Sequence, residues 1–134
     1  MTKVATQNPF ISAALSAKFP VEINGKTYFP MINPNDLTIL GSTKGTSIEG
    51  VYLARTEEFC EQTGRKNDFR GNGYIFVSLS GELVLVPEWA NLAEPMSKVE
   101  AGSIAIITVN DNVTTKNGDS YIKTSIMLGG KLTV

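Results

Sequence analysis

The stretch Tyr74-Ile75-Phe76-Val77-Ser78-Leu79-Ser80-Gly81-Glu82-Leu83-Val84-Leu85-Val86 decides the fold class. Two runs of β-branched, aromatic and aliphatic residues flank Ser80-Gly81, a pair that turns the chain tightly, so the segment reads as a β-hairpin. Pro87 has no N–H to give to a ladder and ends the second strand. Upstream, Thr46 to Arg55 forms a longer extended run with an entry piece at Leu37 to Leu40, and Gly50 interrupts it where a coiled strand needs a bend or bulge. Thr56 to Gly73 reads as a long polar loop. Downstream, Trp89-Ala90-Asn91-Leu92-Ala93 begins a short helix or turn that ends near Pro95 and plugs one end of the sheet. Ser103 to Val109 is a nearly continuous apolar strand, and Tyr121 to Leu128 alternates at period two, with Lys116-Asn117-Gly118-Asp119 at the intervening turn. The reading is therefore mostly β: five strands with a short helix between the third and fourth.

The first part of the chain is organised differently. Met1 to Asn8 lacks periodicity and reads as a flexible start. Phe10 or Ile11, Ala14, Leu15 and Phe19 recur at helical spacing before Pro20. Val21 to Phe29 holds two short extended runs joined by Asn24-Gly25, the dipeptide that supplies the positive φ angles of a type I′ turn. Residues 1–36 are thus an appendage of short helix plus hairpin, and residues 37–134 form the body.

Composition limits the chemistry. The chain has 134 residues, 42% of them hydrophobic, enough to bury a core in one domain. It contains no histidine, which removes the commonest general base and zinc ligand, and Cys60 is its single cysteine, which excludes an internal disulfide or a thiolate metal cluster. Glu57, Glu58 and Glu61 are the tightest carboxylate group and read as solvated charges. No catalytic residue, metal or cofactor is expected, and the chain is read as a binding module rather than an enzyme. With no long apolar run and no basic leader, a cytoplasmic location is expected, that of the host cell for a viral protein. The net charge of −1 argues against coating duplex DNA by phosphate neutralisation alone.

Five strands with a helix between the third and fourth is the layout of the OB barrel, whose face binds oligonucleotides or oligosaccharides. Ile48-Glu49-Gly50-Val51-Tyr52-Leu53, Tyr74-Ile75-Phe76, Val99-Glu100-Ala101-Gly102-Ser103-Ile104-Ala105-Ile106 and the hairpin around Lys116 to Tyr121 stand in the order found in small single-stranded DNA-binding proteins of bacteriophages. The run from Ser47 to Leu128 resembles that family. The resemblance implies an OB-type barrel that binds single-stranded DNA with little sequence preference, in support of DNA replication or recombination. The chain lacks the acidic C-terminal tail that many of those proteins use to recruit partners.

Setting Ile75, Val77 and Leu79 inward sends Tyr74 and Phe76 outward. The same alternation puts Tyr52, Tyr121 and Lys123 outward. Tyr52, Tyr74 and Phe76 would then form a stacking platform, with Arg55, Arg65, Lys66, Phe69 and Arg70 around the first long loop and Lys116 and Lys123 around the last. A one-residue slip in register exchanges the faces and places Phe76 or Tyr52 in the core. Trp89 reads as a plug beside the packing helix. The alternative function is a protein-interaction or assembly module, a viral structural component or an inhibitor on the same barrel. A homo-oligomer is expected under either reading.

Overall fold

A computed structural model of the chain describes residues 8–69 and 71–132. The flexible start expected before Asn8 lies outside the described residues. Asn8 itself, grouped with that start by sequence, is buried and caps the first helix. Helix α1 (Pro9–Leu15) begins with Pro9 at its first turn, where a missing N–H costs nothing, and the Asn8 Oδ1 accepts from the N–H groups of Phe10 (2.9 Å) and Ile11 (3.3 Å). Strands β1 (Val21–Ile23) and β2 (Lys26–Tyr28) form the expected hairpin, with Asn24 at φ 53° and Gly25 at φ 79°.

The main sheet contains β3 (Leu37–Ile39), β4 (Ser47–Arg55), β5 (Gly73–Ser78), β6 (Leu83–Pro87), β7 (Ser103–Thr114) and β8 (Ser120–Lys131), in the order β3-β6-β5-β4-β7-β8. Its last five strands in chain order are the five expected from sequence. β4 lies at the centre, pairing antiparallel with β5 on one side and β7 on the other. The piece from Leu37 to Leu40, expected as the entry to β4, is a separate strand instead, parallel to β6 in the register Leu37↔Leu83. Among the described residues the sheet is open, with β3 and β8 at its edges.

Two further differences have local causes. Thr56 to Thr63, read as polar loop, is helix α2 (Thr56–Thr63). It buries Thr56, Phe59 and Cys60 on one face, starts with Glu57 and Glu58 where the helix dipole favours carboxylates, and ends on Gly64 at φ 77°. The bulge expected at Gly50 falls instead between Tyr52 and Ala54, where Leu53 is the extra residue. Gly50 has another role: a Cβ there would stand 2.3 Å from the Val77 carbonyl oxygen, so glycine permits β4 and β5 to approach.

Both faces of the central strands are dry. On one, Val51, Leu53, Ile75, Val77, Leu83 and Leu85 pack under Ile11, Ala13, Ala14, Phe19, Ile32 and Phe59, so helix α1 and the residues flanking the hairpin form a layer of the core. On the other, Ile48, Tyr52, Tyr74, Phe76, Val84, Val86, Ala105 and Ile107 lie under Leu92 and Met96, with Trp89 and Val99 at the margin. This second cover is the segment around helix α3 (Ala93–Met96), which occupies the place expected for a helical plug. Asn91, just after β6, reaches β8: in the amide orientation that satisfies every group, its oxygen accepts from the Thr124 N–H and its NH2 donates to the Ile122 carbonyl and Thr124 Oγ1, each at 2.9 Å.

Candidate nucleic-acid interface

The three aromatics expected to form an exposed platform do share one face, since Tyr52 pairs with Phe76 and Tyr74 pairs with Arg55 in register. Their exposure differs from the expectation: Tyr52 is 7% accessible, Tyr74 1% and Phe76 0%. The physical reason is the cover formed by Trp89, Leu92 and Met96, which makes the aromatic face a buried side of the sheet. Tyr52 packs edge-on to Tyr74 (6.2 Å between centroids) and tilted against Phe76 (5.4 Å), an arrangement of core aromatics rather than of stacking sites for a base. Burial pushes the Tyr52 hydroxyl up to about 12, against the pull of Arg55, and raises that of Tyr74 as well. The Tyr74 hydroxyl has no hydrogen-bond partner among the described residues.

The basic residues named from sequence divide into held and free groups. Arg55 lies over the Tyr74 ring, 5.3 Å from its centroid, and is ion-paired with Glu88. Arg65 stacks on Phe69 (4.5 Å), donates to the Pro34 carbonyl (3.2 Å) and faces Asp68 at 4.0 Å, so it ties the loop after α2 to the N-terminal layer. Phe69 beneath it is half-buried against the core. Lys66 is exposed. Arg70 lies outside the described residues. Lys116, Tyr121 and Lys123 are exposed on the β7–β8 hairpin, with the Lys123 Nζ 5.8 Å from the centre of the Tyr121 ring. The α2 loop and the β7–β8 turn lie at opposite ends of β4, because β7 runs antiparallel to it from Val51 back past Ser47.

Sequence reasoning missed two residues that the structure exposes. Tyr28 (49% accessible) and Phe29 (56%) project from the end of β2, and with Tyr121 (44%) they are the exposed aromatics among the described residues. The signal was present. Once Asn24-Gly25 fixes the hairpin, period-two alternation puts Lys26 and Tyr28 on one face. Each exposed tyrosine therefore has a lysine two residues away on its own strand.

A third surface is unsuited to an anion. A groove of about 460 Å³ runs beside β3 and the β5–β6 turn, lined by Ile39, Leu79, Glu49 and Glu82 and by no lysine or arginine. Phosphates are repelled there. Among the described residues no three His, Cys, Asp or Glu side chains are grouped to hold a metal ion, and no helix is long and apolar enough to cross a membrane. No family model, curated protein or solved structure matches the chain.

Proposed function

We propose that the chain binds single-stranded DNA with little sequence preference, supporting replication or recombination, and that bases stack on the hairpin aromatics Tyr28, Phe29 and Tyr121. The observation that carries this reading is the pairing of exposed aromatics with exposed lysines on two projecting hairpins, Lys26 with Tyr28 and Lys123 with Tyr121. Every base has a π-face, and a nearby ammonium attracts the phosphate, so such pairs hold a strand without reading its sequence. The strand order supports an OB-type arrangement: β4 joins the β5–β6 and β7–β8 hairpins, α3 intervenes, and the gap between β6 and β8 is spanned by Asn91, as in a partly open barrel.

Fluorescence titration with an oligo-dT strand tests the reading. Binding at low salt that weakens as salt rises, and is stronger than binding to duplex, is the expected result. Absence of binding at micromolar protein refutes it. A second reading, a protein-interaction or assembly module, is favoured by the burial of Tyr52, Tyr74 and Phe76 and by the exposure of Met31, Met127 and Leu128.

A further inference from the structure

We infer that β8 pairs with the β8 of a second copy, antiparallel about a two-fold axis at Ile126, joining two sheets into one. The inference stands apart from the DNA reading and rests on the outer edge of β8. Among the described residues no strand pairs there, so a row of N–H and C=O groups faces outward along a strand of 12 residues. The edge already holds a peptide-like group. The Asn91 side-chain amide bonds the Ile122 carbonyl and the Thr124 N–H as a neighbouring strand would. Alternation gives Ile126 and Leu128 the same outward backbone direction, and among the described residues no backbone group bonds them there.

The occupant is identified by self-complementarity. With Ile126 opposite its own copy, Thr124 meets Leu128, Ser125 meets Met127, Lys123 meets Gly129, and Tyr121 meets Lys131. No like charges meet at this register, although both charged residues of β8 are lysines. The exposed Met127 and Leu128, which lie on opposite faces through their pairing with Ile106 and Ala105, fall beside the axis and become covered from both sides. Natural edges are protected by charged side chains such as lysine, by proline, by bulges or by a covering loop. Here the lysines stand toward the ends, and the bulge falls at Gly129, beyond the apolar centre. Asn91 holds the Ile122 carbonyl and the Thr124 N–H that this register pairs, so it competes with the second copy and gives way when the edges join.

Sedimentation equilibrium of the full chain over a range of concentrations tests this. The wild type is expected to dimerise, Leu128→Lys to weaken the dimer on the order of tenfold or more, and Asn91→Ala to tighten it by freeing Ile122 and Thr124. Leu128 and Met127 are surface residues, so Met127→Lys serves as a second variant with an intact fold, checked by circular dichroism. A chain that stays monomeric at every concentration overturns the inference. So does a dimer that neither lysine substitution weakens, or one that Asn91→Ala leaves unchanged.

Discussion

Replacing Asn8 removes two unrelated supports at once. Its Oδ1 caps α1, and its Nδ2 donates 2.8 Å to the carbonyl of Leu53, the residue that the β4 bulge leaves without a ladder partner. Loss of an N-cap costs about 1 kcal/mol. A buried carbonyl left without a partner costs about 1–3 kcal/mol. Asn8→Ala should therefore destabilise by about 2–4 kcal/mol, a fall in Tm of roughly 6–15 °C for a domain of this size. Asn8→Ser keeps an oxygen for the helix but has no reach to Leu53, so it should lose only the bulge contribution. Asn8→Asp also keeps the cap, yet turns a carboxylate oxygen toward a carbonyl and should be no better than alanine. Gln62 holds the Asn8 backbone from both sides, its Oε1 accepting from the N–H at 2.8 Å and its Nε2 donating to the carbonyl at 3.0 Å, so the segment stays docked in all three variants. Urea unfolding gives the three free energies, with unchanged slope as the sign that only the native state has altered. If Asn8→Ser is as stable as wild type, the Leu53 carbonyl does not depend on Asn8 and the reasoning is wrong.

Tyr121→Ala should weaken oligo-dT binding by about 1–3 kcal/mol, and Tyr28→Ala with Phe29→Ala by a comparable amount for each stacked base, while thermal unfolding barely moves. Equal affinity in all variants excludes the hairpin aromatics as the contact. Tyr74→Phe removes a buried hydroxyl without a partner and should leave the melting temperature unchanged or raise it, whereas a clear loss would show that the hydroxyl is bonded. Thr56→Val deletes the Oγ1 that accepts from the Gly73 N–H at 2.8 Å and should cost about 1–3 kcal/mol by denaturant titration; no loss would mean that water replaces it. Tyr52 in the fold loses its proton near pH 12 rather than near 10, so its contribution is complete below pH 10 and is lost as pH rises toward 12. Ultraviolet titration should show this phenol ionising late and together with unfolding, and ionisation near pH 10 in the intact fold would contradict its burial.

Much of the architecture was legible because it is local. Asn24-Gly25, Ser80-Gly81 and Pro87 fix turns and strand ends through their own backbone preferences, and the apolar run at Ser103 to Val109 marks a strand buried on much of both faces. α2 was legible in principle. Thr56, Phe59, Cys60 and Thr63 follow helical spacing, with carboxylates at the start and Gly64 at the end, but their polar neighbours obscured the pattern. Tyr52, Tyr74 and Phe76 were placed correctly on one face, and alternation alone does not say that this face is the covered one. That depends on where residues 89–99 fold back, a long-range fact with no local signature. β3 is three residues long and pairs in parallel with a strand far along the chain, beyond the reach of any pattern within its own sequence.

The N-terminal layer also sets an order of events. Ile11, Ala14, Phe19 and Ile32 leave the ribosome first, yet the surface they bury against is made of residues from Val51 to Leu85, and the strand that β3 joins ends at Pro87. Until the β5–β6 hairpin has been synthesised and closed, these side chains have nothing to cover them. The first third of the molecule is thus expected to fold late although it is made early, and during that interval it is the part most exposed to chaperones and to unwanted association.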